Sequence, residues 1–185
     1  MVIKTRDRLI EVARKLFLNK GIENTTMIDI ANASDNGRRT VYSYFKNKSD
    51  IYSAVIERES ENHVKAVKEI AAENISPCDK LEKFINERFN ALTEASKQKE
   101  SILSWLTLDF SKNDKIKKAV YAKEEDIIKS IINEGISSGD FDEYLSTSIP
   151  QIRTIWNENK DIADDVAEKN KRAFISFVLN GLQKH

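Results

Sequence analysis

The chain has 185 residues, of which 40% are hydrophobic and 32% charged, and its formal net charge is zero. That balance is too apolar for a disordered chain and ordinary for a soluble globular protein of one or two domains. A single cysteine, Cys78, excludes an intramolecular disulfide, and no stretch approaches the ~18 apolar residues of a membrane span, so a soluble cytoplasmic protein is expected.

Five glycines and two prolines leave few breakers, and the apolar spacing reads as helix throughout. The opening MVIKTRDR has no apolar run and is not expected to be a signal peptide. Residues 3–19 carry Leu9, Val12, Ala13, Leu16 and Phe17 on one stripe, and Lys20-Gly21 ends that helix. Thr25 or Thr26 caps a second, short helix, with Thr26 and Asp29 spaced as a capping box and Met27, Ile30, Ala31 and Ala33 on its apolar side. It ends at Ser34-Asp35. A third helix runs from near Gly37 to about Tyr44. Val41 and Phe45, spaced i, i+4, should face inward, leaving Arg38, Arg39, Tyr42 and Ser43 outward.

Asn47 or Ser49 then caps a long helix over about 49–73, with Ile51, Tyr52, Val55, Ile56, His63, Val67 and Ile70 on its buried side. Ser76-Pro77-Cys78-Asp79 is a helix start, continued by Leu81, Phe84, Ile85, Phe89 and Leu92. Further helices are expected over 101–110, over 115–138 with its stop at Gly139, from Ser148-Pro150 through Trp156, and over 161–183. There is no internal repeat and no period-two strand. The expected fold is all-α, with about nine helices.

Residues 26–45 together form a helix-turn-helix pattern. The charge is concentrated there: residues 1–52 hold ten Lys/Arg against six Asp/Glu, and the remainder twenty against twenty-four. A cationic head on an acidic body suits an anionic partner. An arginine fork can grip guanine or phosphate, and tyrosine hydroxyls can donate to phosphate oxygens. Lys48 at the next helix start, and Thr25 and Thr26 at another, could meet further phosphates. Helix-turn-helix shapes in all-α proteins are also simple corners, and paired arginines are often a solvated face.

Residues 5–53 resemble the DNA-binding domain of the TetR family of bacterial transcriptional regulators. The resemblance lies in residues 10–17 (IEVARKLF), Gly21, Thr25-Thr26, Asp29-Ile30-Ala31, Thr40-Val41-Tyr42, Tyr44-Phe45 and Lys48. It implies that Gly37 caps the recognition helix and that Arg38, Arg39, Thr40, Tyr42, Ser43 and Tyr44 belong to it. It also implies phosphate contacts by Tyr42, Lys48 and Thr26, and core roles for Phe17, Ile30, Ala31, Val41 and Phe45. One place departs from the pattern. Similar proteins usually carry alanine, glycine, an aliphatic residue and serine in the turn; here stand Ser34, Asp35, Asn36 and Gly37. Asp and Asn tolerate left-handed backbone. Asn36, where an aliphatic residue is expected, should either point to solvent or bond to the turn backbone.

The resemblance divides the chain into a DNA-binding domain (1–48), a connecting helix (49–73) and an effector-binding, dimerising domain (74–185). Candidate ligand-lining residues are Phe84, Phe89, Trp105, Phe110 and Tyr121, although aromatics on helical stripes are more often core. Their apolar character favours a small hydrophobic or amphipathic effector. Candidate dimer contacts are Ile162, Val166, Ala173, Phe174, Phe177, Val178 and Gly181. His63 and Cys78 make no zinc site; Cys78 near a helix start would suit a redox sensor, although such a lone cysteine is more often inert, and no cofactor is expected. No nucleophile–base pair or phosphate-binding glycine loop is present, which counts against an enzyme. The expected function is a ligand-responsive repressor, binding double-stranded DNA at a palindromic operator as a homodimer. The alternative is a protein of the same fold that acts through a protein partner, or organises DNA away from promoters.

Overall fold

The computed structural model describes residues 2–97, 114–143 and 164–182. Seven α-helices lie among them: α1 (Val2–Lys20), α2 (Met27–Ala33), α3 (Arg38–Tyr44), α4 (Lys48–Ala72), α5 (Pro77–Lys97), α6 (Asp114–Ser138) and α7 (Asp164–Leu182). The class is all-α, as the periodicity requires. The helices expected over 101–110 and 148–156 lie outside the described residues. No helix among the described residues is long and apolar enough to cross a membrane.

Two apolar cores result. The first gathers Leu9, Ile10, Ala13 and Phe17 of α1, Ile30 and Ala31 of α2, Val41 of α3, Phe45 just beyond it, and Ile51, Val55 and Ile56 of α4. The Phe17 and Tyr52 rings meet edge to face, 5.8 Å apart. Ion pairs tie the same two helices outside the core. Arg14 Nε donates to Glu59 Oε1 at 2.9 Å, and Arg58 pairs with Asp7. The second core joins Val67 of α4 to Leu81, Phe84, Ile85 and Phe89 of α5, Ile127, Ile128, Ile131 and Ile132 of α6, and Ile175 and Val178 of α7.

The α6 terminus explains how Phe141 enters that second core. Gly139 stands at φ +84°, and the Asp140 and Phe141 amides both donate back to the Gly135 carbonyl at 2.9 and 3.0 Å. The chain thus folds over the helix end and lays the Phe141 ring on Gly135. A Cβ at Gly135 would come within 2.1 Å of Phe141 Cδ2.

Helix α2 is only seven residues long and depends on its cap. Thr26 Oγ1 accepts from the Asp29 amide at 3.1 Å, and the Thr26 amide donates to Asp29 Oδ2 at 2.8 Å. The reciprocal capping box read from the sequence is therefore formed. The Thr26 hydroxyl and amide, followed by Lys20, hold the Asp29 carboxyl down at about 2, from an ordinary 3.8.

Two outcomes are expected. Gly135→Ala gains helix propensity yet overfills the space of a buried ring, so it should destabilise the fold by about 1–2 kcal/mol in urea unfolding. A rise in stability would contradict the packing. Asp29 has a folded pKa below its unfolded one, so its charge stabilises above the unfolded value and loses that effect as pH falls toward the folded value. Asp29→Asn should lower Tm at neutral pH, and the gap to wild type should close between about pH 4 and pH 2.

Candidate nucleic-acid interface

The helix-turn-helix is α2, the turn 34–37, and α3. Ser34 closes α2, its amide donating to the Ile30 carbonyl at 3.0 Å. Asp35 then takes the left-handed conformation at φ 59°, and the Asn36 amide returns to the Ala31 carbonyl at 3.1 Å. The Asn36 side chain is half-buried, and its Nδ2 donates to the Ser34 carbonyl at 2.9 Å. Of the two arrangements open to Asn36, the turn uses the backbone bond. Gly37 is the N-cap of α3 with ordinary extended backbone, φ −62°, and no side-chain cap. Left-handed freedom is thus used at Asp35, not at the glycine.

Val41 and Phe45 are buried in the first core, and Phe17, Ile30 and Ala31 with them. This anchoring turns the remaining α3 side chains outward. Gly37, Arg38, Arg39, Tyr42 and Ser43 are all exposed, with Tyr42 at 51%. Thr40 and Tyr44 are half-buried, and Tyr44 packs against the first core. Ile28 of α2, Tyr42 of α3 and Phe177 of α7 are the large hydrophobic side chains left exposed among the described residues. Two of the three belong to the helix-turn-helix. Above the core, the Arg6 guanidinium lies 5.5 Å from the Phe45 ring centroid.

Three side chains expected at phosphates are engaged internally. Thr25 is only 1% exposed. Its hydroxyl donates to the Gly21 carbonyl at 2.7 Å and its amide to Ile22 at 3.2 Å, so it offers no free surface donor. Buried hydroxyls find such partners because leaving them unpaired is costly. Thr26 is exposed, but its hydroxyl serves the capping box. Lys48, the first residue of α4, sends its ammonium to the Ile22 and Glu23 carbonyls at 2.7 and 3.2 Å. It pins the α1–α2 turn to the start of α4 and keeps one of its three N–H donors uncommitted by these bonds. The sequence gives no signal for this tie, which spans 26 positions.

In the body, Phe84 and Phe89 are packed into the second core. Tyr121 is half-buried, and the Arg88 guanidinium lies 5.2 Å from its ring centroid. Trp105, Phe110 and Ile162 lie outside the described residues, as do the side chains of Val166 and Phe174. On α7, Ala173, Phe177 and Gly181 are exposed at i, i+4, i+8 spacing, with Phe177 at 69%. Val178 is a correction: it is buried in the chain's own second core, because it lies on the face of α7 that meets α5.

Residues 9–55 match the sequence profile described as Bacterial regulatory proteins, tetR family. The probable HTH-type transcriptional regulator YttP of Bacillus subtilis is 28% identical over 153 residues, which is 81% of this chain and 72% of that one. Among solved structures, a transcriptional regulator from Cytophaga hutchinsonii superposes with a TM-score of 0.74 at 23% identity, over 95% of this chain and 97% of the other. FadR of Bacillus subtilis, solved in complex with stearoyl-CoA, gives a TM-score of 0.60 at 20% identity over 95% and 98%. These two structures share the fold. Profile, relatives and the buried-inside, basic-outside helix-turn-helix agree: residues 9–55 form a helix-turn-helix domain of the kind described by the tetR family of bacterial regulatory proteins.

Proposed function

We propose that the protein is a homodimeric, ligand-responsive repressor that reads a palindromic operator in the cytoplasm. Residues 1–48 form the DNA-reading head, 49–73 the connector, and 74–185 the effector-binding and dimerising body. The observation that carries this reading is the face of α3. Arg38, Arg39, Tyr42 and Ser43 stand exposed on a helix whose opposite side is fixed by the buried Val41. Such a helix can enter a major groove, with tyrosine and arginine on phosphates and an arginine on guanine. Lys48 adds a phosphate contact through its remaining N–H.

Dimerisation is supported by the outer face of α7. An exposed phenylalanine between Ala173 and Gly181 leaves room for a second helix to approach closely. A single recognition helix reads only a few base pairs, and a two-fold pair reads two half-sites about 34–36 Å apart. The effector is a small hydrophobic or amphipathic molecule. FadR, of like fold, was solved with stearoyl-CoA, and the apolar body of this chain fits an effector of that general character. Its binding would shift the population of head spacings away from the one that fits the operator.

The test is binding of the purified protein to its own upstream DNA across a salt series. Arg39→Ala and Tyr42→Ala should each weaken binding at least tenfold, and a lost phosphate contact should flatten the salt slope by about one. Lys48→Ala should weaken binding and also lower Tm, since it frees the Ile22 and Glu23 carbonyls. Unchanged affinity in both α3 variants would remove the assignment. Occupancy at many scattered genomic sites, rather than at one or two promoters, would favour a DNA organiser instead. Phe177→Glu should convert the dimer to a monomer in sedimentation and reduce operator affinity; a dimer that survives it would place the interface elsewhere.

A further inference from the structure

A layer of buried charge separates the two apolar cores. On α4, Val64 belongs to the first core and Val67 to the second, and His63 lies beside that division. On α6, Val120 belongs to the first core and Ile127 to the second, and Glu124 lies between them. From α5, Arg88 enters next to Phe89. Glu124 Oε1 is 2.7 Å from His63 Nε2 and 3.2 Å from Arg88 Nη1. The three side chains are 5%, 8% and 4% exposed, in the order His63, Glu124, Arg88. One carboxylate oxygen of α6 is therefore held from α4 and α5 at once.

Stability gives little reason to place these groups here. Buried ions in such a set do about as well, or worse, than apolar side chains of equal volume. What they add is direction. Apolar contacts are non-directional, whereas this carboxylate is hydrogen-bonded to His63, which fixes distance and angle, and ion-paired with Arg88, which fixes distance. The layer sits where α4 passes from one core to the other, so it constrains the tilt of α4 against α5 and α6. From His63 to Lys48, α4 runs roughly 22 Å at helical rise. A tilt of about 9° at the layer would move the head by about 3.4 Å, one nucleotide step along a DNA strand.

We propose that His63, Arg88 and Glu124 are positioning residues that set the half-site spacing the protein accepts. This rests on the reading of the chain as a dimeric regulator. The layer fixes the angle at which each α4 carries its head away from the body. Two copies then present their recognition helices at one separation. None of the three touches DNA, so their effect is on the spacing preference and not on contact with a single half-site.

The experiment uses the full chain and DNA duplexes enriched from a random pool by the wild-type protein. Spacing between half-sites is then varied one base pair at a time, alongside a duplex with one half-site only. His63→Leu, Arg88→Met and Glu124→Met are combined so that no buried charge is left alone. The combined variant should keep the wild-type Tm within a few degrees and the single-half-site affinity within twofold. Its preference for the best spacing over the adjacent ones should fall at least fivefold. If it fails to fold, Glu124→Gln serves for the same comparison at a temperature below its own transition. A folded variant with an unchanged spacing profile overturns the proposal. Wild-type protein without any preference for paired half-sites overturns the dimeric reading, and the proposal with it.

Discussion

The head of this protein could not hold its shape without α4. Helices α2 and α3 are seven residues each, well below the length at which an isolated helix persists in water. They are held by burial, and Ile51, Val55 and Ile56 of α4 supply one wall of the core into which Ile30, Ala31 and Val41 pack. Edge-to-face contact of Tyr52 with Phe17 and the Arg14–Glu59 and Arg58–Asp7 pairs lock α1 to the same helix. The exposed face of α3 is thus set by the position of α4, and any movement of α4 relative to the body moves the whole head with it.

Within the head, the placement of α3 depends on a turn built from unusual residues. Two polar residues, one by its backbone conformation and one by a side-chain hydrogen bond, stand where an aliphatic one is expected. Asp35 accepts the left-handed conformation, and Asn36 bonds to the Ser34 carbonyl, so the chain reverses and α3 starts in register. The result is a sharp turn without a buried aliphatic side chain. Gly37 then starts α3 with a backbone that any residue can adopt, and a Cβ there would meet nothing within 4 Å.

Much of this was readable from residue spacing. Val41 and Phe45 at i, i+4 predicted the buried side of α3, and Thr26 with Asp29 predicted a capping box that is formed. Such features are local: they depend on neighbours within one or two turns. Contacts set by tertiary approach were not readable. Thr25 looked like a surface hydroxyl at a helix start but is buried against Gly21, because the α1–α2 turn folds it inward. Lys48 lies beside Ile22 and Glu23 only after α4 has packed against the head. Val178 belonged to one apolar stripe with Ala173 and Phe177, and only packing shows that the stripe divides between the chain's own core and its surface. Arg88 beside Phe89, and Glu124 between Val120 and Ile127, are charges on apolar faces. That pattern was present in the sequence, yet it gains meaning only once three helices bring the groups together.

The body gives α4 a firm surface to be held against. Helices α5 and α6 run antiparallel and are bridged twice, by Lys80 with Glu134 at 2.7 Å and by Arg88 with Glu124 at 3.2 Å. Arg88 and Glu124 are both nearly buried, so water screens that pair less than it would a surface one, whereas Glu134 keeps its carboxylate half exposed. The first bridge lies near the far end of the pair, and the second at its contact with His63 of α4. A disturbance between α5 and α6 would therefore reach α4 at the same carboxylate that holds it. Charge is well suited to this place: a hydrogen-bonded carboxylate is either held or released, whereas an apolar seam yields by degrees.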